Sequence, residues 1–249
     1  MKIKFYEGKV SLNDNMLDFE TITSELRNGK PILVFDQKDS EGETDIFFSA
    51  KYVSNSSIKF LRKNGGGMIF LAAENSASTK LGLPFAHQIY ESASDYNKNF
   101  NILEKMLNHS IPYDKKSSFS LFINHKDTFT GISDYDRALT SKSFATVFEE
   151  SMNLSDSESQ KLVSDNFRIP GHVPVCIADL NLLKNRQGHT ELIVSLLKSA
   201  NMNPIAVGCE MIGDDGRSLS PEQAKRWAED EGYLFLEGRQ IIEECQWEL

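Results

Sequence analysis

The chain is poor in cysteine and has no long apolar run, no basic run, no internal repeat and no low-complexity linker. Its three thiols, Cys176, Cys209 and Cys245, show no paired metal-binding spacing. An odd, sparse set of this kind excludes a disulfide-stapled secreted scaffold and fits a reducing interior. Residues 1–7 lack the apolar centre of a secretory leader, and no stretch is long enough to span a bilayer. A cytoplasmic, soluble protein with no membrane partner is therefore expected. The net charge of −9, without a Lys/Arg-rich segment, argues against nucleic acid as a partner. A small anionic substrate stays open, because a few local basic side chains can dominate a cleft.

What is present reads as an ordinary globular chain. Apolar residues make up 40% and charged residues 25% of 249 positions, room for one large α/β domain or two small ones. Short apolar runs predict strands at 31–35, 46–50, 68–73, 118–124, 173–177, 205–209 and 233–236. Helical periodicity or stop signals predict helices at 18–29, 56–63, 99–108, 141–152, 157–163 and 190–199, and a last helix closing the chain. Ser220-Pro221-Glu222-Gln223 starts a further helix, with Ser as cap and Pro in the first helical position, running to about Glu231. The triple glycine Gly65-Gly66-Gly67 reads as a turn, because a strand follows it and a phosphate loop needs a helix there. Strands alternate with helices without a linker. The expectation is a single domain, 1–249, of the α/β (α+β) class: a mixed β-sheet covered by helices.

Two polar patches carry the chemistry. The segment 36–45 crowds Asp39, Glu41, Glu43 and Asp45 into one loop directly after a buried strand. It reads either as a solvated loop or as a cation site, which would relieve the repulsion among its carboxylates. Asn185-Arg186-Gln187-Gly188-His189-Thr190-Glu191 stands at the mouth of an amphipathic helix, with His189 and Thr190 at cap positions. Backbone N–H groups there, the Thr190 hydroxyl and the Arg186 guanidinium can hold a phosphate; simple capping by Thr190 is the alternative. Arg168-Ile169-Pro170-Gly171-His172 reads as a Pro-Gly turn before a strand, with an exposed His or a functional one. Glu210 ends a strand, a site-like position that a surface carboxylate also occupies. Segment 127–137 reads as a polar loop in which Asp134 or Asp136 pairs with Arg137.

With these residues in view, the chain resembles 3,4-dihydroxy-2-butanone 4-phosphate synthase of riboflavin biosynthesis, in its archaeal-like single-domain form. The resemblance is carried, in order, by segments 39–45, 111–114 (Ile-Pro-Tyr-Asp), 128–133 (Thr-Phe-Thr-Gly-Ile-Ser), 168–173, 185–191 and 209–216 (Cys-Glu-Met-Ile-Gly-Asp-Asp-Gly). It implies a lyase that converts D-ribulose 5-phosphate to L-3,4-dihydroxy-2-butanone 4-phosphate and formate, using Mg2+ or Mn2+, as a homodimer with sites near the subunit interface. It implies Glu41 and His189 as metal ligands. Substrate contacts are implied at Ser40, Glu41, Asp45, Arg186, Gln187, Gly188, His189, Thr190 and Glu210, and essential polar roles at His172, Glu210 and Asp45. Magnesium suits so small a protein ligand set, because it keeps water and takes substrate oxygens.

The sequence departs from the family in two places. Ser40 stands where an Arg commonly precedes the metal Glu, which removes a planar, permanently charged fork. Lys38 is the nearest replacement for that charge. Phe70 stands where a Cys is often found, so no thiol role is inferred there. Two other classes fit the same corner: a different metal-dependent sugar-phosphate enzyme, such as an isomerase or aldolase, and a non-catalytic sugar-phosphate-binding paralogue.

Overall fold

Strands that are apolar at nearly every position need cover on both faces, and the chain supplies it with two helical layers. The computed structural model describes residues 17–37, 40–109 and 116–245. The N-terminal segment, Lys38, Asp39 and the 111–114 motif lie outside the described residues. Seven strands are found among those described: β1 (Ile32–Phe35), β2 (Thr44–Ser49), β3 (Phe70–Ala73), β4 (Phe119–His125), β5 (Phe167–Ile177), β6 (Ile205–Glu210) and β7 (Leu234–Glu237). They form one sheet in the order β4-β5-β3-β6-β2-β1-β7. β1–β7 and β3–β5 are parallel and the other neighbours antiparallel, so the sheet is mixed, as expected.

The α-helices among the described residues are α1 (Phe19–Arg27), α2 (Asn55–Asn64), α3 (Ser76–Thr79), α4 (Ala86–Tyr96), α5 (Asn101–Leu107), α6 (Asp134–Ser151), α7 (Asp156–Asn166), α8 (His189–Ser199), α9 (Pro221–Glu231) and α10 (Gly238–Cys245). Because side chains alternate along a strand, neighbouring residues serve opposite cores. Leu33, Ile46, Phe48, Leu71 and Val207 pack with Ile58 and Leu61 of α2, Phe144 and Phe148 of α6, and Ala224 and Ala228 of α9. Val34, Phe47, Phe70 and Ala206 pack with Ile22 and Leu26 of α1, Ile193 and Leu196 of α8, and Ile241 of α10. Each such Val, Leu, Ile or Phe side chain fully withdrawn from water contributes roughly 1.5–3 kcal/mol before chain entropy is counted.

Phe70 makes an edge-on contact with Phe47, ring centres 6.0 Å apart. Room for it comes from Gly208, where a Cβ would lie 2.9 Å from Phe70 Cζ and overlap Phe47. The three cysteines are free and buried.

Three stretches differ from the sequence reading. α6 begins at Asp134 rather than Ser141, because Ser133 accepts the Asp136 amide and acidic side chains fill the first turn. Asp134 does pair with Arg137, at 3.2 Å, and also with Arg62, at 2.9 Å. The helix α4 has no buried residue, so its sequence carries no core periodicity to read. Segment 168–172 lies within β5, not before it. Its ladder with β4 is irregular there: Ile123 faces Val173 but Asn124 faces Arg168, so the Pro-Gly pair makes an excursion from the strand. Ser220 caps α9 as expected, accepting the Gln223 amide with Pro in the first turn. No helix among the described residues is long and apolar enough to cross a membrane.

Candidate active site

The antiparallel register of β2 and β6 sets Asp45 opposite Glu210. Opposed residues project to the same face, so the two carboxyl groups share the side of the sheet that α8 covers. β2 is fed by the acidic loop, and α8 begins at His189, over the same end of the sheet. A cavity of about 290 Å³ lies there, lined by Ser40, Glu41, Glu43, Asp45, Glu210, His189, Thr190 and Arg186, with Met68, Phe70, Cys176 and residues 116–119.

The acidic loop is organised by Asp36, whose carboxylate accepts the Glu41 amide (2.9 Å) and the Glu43 amide (3.0 Å). These bonds turn the Glu41 side chain toward α8. Its Oε2 lies 3.3 Å from His189 Nδ1. On the other ring edge, His189 Nε2 is 3.2 Å from the Glu43 carbonyl and 3.8 Å from Asp45 Oδ1. Asp36, Glu41 and His189 bring one ligand atom each within 4.8 Å of one another. The place of Asp36 at the strand end gives no sign in the sequence of the loop folding back on it.

The electrostatics fit a cation. Burial pushes the Asp45 carboxyl up to about 8, against the pull of His189 and with the push of Glu210, Glu41 and Glu43. Burial opposes charge on His189 too, but Asp45, Glu41 and Asp36 outweigh it and hold the imidazole up at about 10. Asp45 Oδ1 is buried with no hydrogen-bond partner among the described residues. Crowded acidic groups that hold extra protons are the natural counterpart of a divalent ion, whose binding releases them.

Glu210 is partly buried, and burial raises its carboxyl above the usual range, opposed by backbone donors that include Met68. The Met68 amide donates to its Oε2 at 2.6 Å. Arg186 is directed by Glu191, a residue of the motif to which no role was given. Its Nη1 meets Glu191 Oε2 at 2.6 Å, and Glu191 Oε1 accepts the Asp179 amide at 2.9 Å.

The start of α8 differs from the expected cap. Gly188 is the N-cap and His189 the first helical residue, with no side chain capping the end. Thr190 is therefore inside the first turn, where helix amides are suited to an anion. Gln187 is exposed and engaged with Gln37, at 3.0 Å, away from the cavity lining. Ser40 lies on the cavity wall, in a turn where its amide donates to the Gln37 carbonyl.

His172 is not brought to this cavity. It is exposed on the β5 excursion, its amide donating to Asn124 Oδ1 (2.9 Å) and its Nδ1 3.1 Å from Asn124 Nδ2. Exposed Phe129 and Ile169 belong to the same surface, where Arg168 reaches the Thr128 and Phe129 carbonyls.

Known proteins resemble this chain along most of its length. The family model described as 3,4-dihydroxy-2-butanone 4-phosphate synthase matches residues 20–244. A protein of that name from Methanosarcina mazei is 41% identical over 220 residues, 88% of this chain and 87% of its own. One from Archaeoglobus fulgidus is 41% identical over 229 residues, 92% and 94% of the two chains. The crystal structure of the Candida albicans synthase shares the fold, with a TM-score of 0.66 at 24% identity, over 92% of this chain and 97% of that one. Sequence identity of this order along nearly the full length of both chains leaves one assignment: this chain belongs to the 3,4-dihydroxy-2-butanone 4-phosphate synthase family.

Proposed function

We propose that the chain, acting as a single cytoplasmic domain in a homodimer, is the lyase that converts D-ribulose 5-phosphate to L-3,4-dihydroxy-2-butanone 4-phosphate and formate. The carrying observation is the approach of Glu41 to His189 at 3.3 Å beside two buried or partly buried carboxyl groups, Asp45 and Glu210, in one cavity. The reaction balances without a co-reactant: the five carbons of the sugar phosphate become four plus one, with no net oxidation. It needs a held phosphate, a stabilised enediolate and several proton transfers.

Glu41 and His189 are assigned as the protein ligands of a divalent cation, Mg2+ or Mn2+, with Asp36 holding the loop that presents Glu41. When bound, that ion supplies Lewis acidity to the oxygens next to the carbon that loses its proton. Related proteins include a synthase solved in complex with two magnesium ions. The phosphate is assigned to Arg186, Thr190 and the first-turn amides of α8, which fixes the distance from anchor to reacting carbons. Asp45 and Glu210 exchange protons in the enolisation, dehydration and rearrangement sequence. Burial raises both above the usual carboxyl range, closer to working pH. The direct test is incubation with ribulose 5-phosphate and magnesium, with formate assayed; an inert wild-type protein that binds the sugar phosphate would make it a binding paralogue.

His172 is assigned to the site of the partner subunit. It projects from an excursion flanked by exposed Phe129 and Ile169, a patch suited to an interface. The expected result is complementation: mixing His172→Ala with Glu210→Gln, each nearly inactive alone, restores about a quarter of wild-type turnover, because mixed dimers carry one intact site. Failure of exchanged dimers to regain activity would place His172 in its own subunit's site, and wild-type turnover in His172→Ala alone would place it outside the chemistry.

Ser40 gives a third expected result. It lies on the cavity wall with its side chain partly in solvent, so a longer residue has room. Ser40→Arg is expected to lower KM for ribulose 5-phosphate about tenfold, through a charge-assisted bond worth roughly 1.5 kcal/mol. A higher KM or lower turnover in side-by-side kinetics would show a loop rebuilt around the small residue.

A further inference from the structure

The triple glycine reads as a turn in sequence, yet in the fold it is pressed against the end of β6. Gly66, with φ of 100°, forms an isolated bridge with Met211. The Gly67 amide donates to the Glu210 carbonyl at 3.1 Å, and the next amide, of Met68, donates to Glu210 Oε2. A methyl group on Gly67 would overlap that oxygen and lie 2.8 Å from Glu210 Cβ. The backbone of Gly67 is not in the left-handed region, so space rather than conformation excludes a side chain there.

We propose that Gly67 is a positioning residue for the Glu210 carboxylate, an inference that rests on the role given to Glu210 above. Its bare backbone lets the chain close over the Glu210 side chain and seat the Met68 N–H on one carboxylate oxygen. Two consecutive amides thus hold Glu210 by its own carbonyl and by its carboxylate, and the acid keeps one rotamer on the cavity wall. A side chain at position 67 would collide first with the Glu210 carboxylate, and its 2.8 Å approach to Glu210 Cβ would strain the backbone pairing as well.

The test is Gly67→Ala, made alone and together with Glu210→Gln. The single variant is expected to lose about a hundredfold in kcat, the scale of a misplaced reacting group, with KM little changed. The double variant is expected to be no slower than Glu210→Gln alone, since Gly67 acts only through that carboxylate. Wild-type kcat in Gly67→Ala, or multiplicative losses in the double variant, would overturn the proposal. If Gly67→Ala does not fold, hydrogen exchange at the Met68 amide decides. Protection in the wild type that is lost in Glu210→Ala supports the clamp, and equal exchange in the two overturns it. A wild type that releases no formate would sink the lyase reading instead, and the exchange comparison would still decide this one.

Discussion

Glu41→Gln is expected to leave the fold intact and to lower metal-dependent turnover on the order of a thousandfold, the scale of several kcal/mol of lost charge stabilisation. The fold is expected to survive because Glu41 stands outside the two hydrophobic cores. Its side chain is 26% exposed, and the loop is held instead by the Asp36 carboxylate through the Glu41 and Glu43 amides. The substitution keeps the shape and removes one negative charge from the cluster facing His189. Magnesium or manganese titration by calorimetry, beside a formate assay, measures both effects. Wild-type affinity and turnover in the variant would remove Glu41 from the metal site. Chelation of the wild type is expected to reproduce the variant's loss, and added metal to reverse it.

Arg186→Ala is expected to act twice, on substrate and on stability. Glu191 is fully buried, and Arg186 is its ion-pair partner at 2.6 Å. Removing Arg186 leaves the buried Glu191 carboxyl either uncompensated or protonated, and the loss is expected to fall below the roughly 3–5 kcal/mol of a wholly buried pair. The same change removes a phosphate contact, roughly ten- to a hundredfold in affinity. Pairing it with Glu191→Gln separates the two effects. The amide oxygen of Gln can still accept the Asp179 amide, and no buried charge remains. Urea unfolding should then return toward wild type while substrate affinity stays low. If affinity recovered along with stability, the phosphate would lie elsewhere.

Much of this is legible in the sequence. β1 and β3 are unbroken apolar runs, as is β6 up to Cys209, and such runs signal a strand covered on both faces whatever the order of the sheet. Glu41, Asp45, His189 and Glu210 stand in motifs carried by type and spacing, and they meet in one cavity. What could not be read depended on contacts between distant segments. Asp36 looks like any acidic residue after a strand until the loop turns its amides back onto it. Glu191 looks like a helix-start acid complementing the dipole until Arg186 is laid across it. The triple glycine gives no sign of its partner, because Glu210 is more than a hundred residues away. The helix α4 turns no residue to the core, and the apolar periodicity that reveals other helices is missing from it.

The place of β6 in the sheet bears on how the protein reaches its native state. β1 and β2 pair with each other, as do β3, β4 and β5, but β6 alone joins these two groups. Until residues 205–210 insert between β2 and β3, the chain can hold two partial sheets with two unsatisfied edges. The same insertion delivers Glu210 to Asp45. Contacts spanning about 130 to 165 residues favour a late, slow insertion on topological grounds. During synthesis it waits until residues 205–210 have emerged. A partly folded chain thus has exposed edges and an incomplete acidic cluster, and the completed cluster coincides with closure of the sheet.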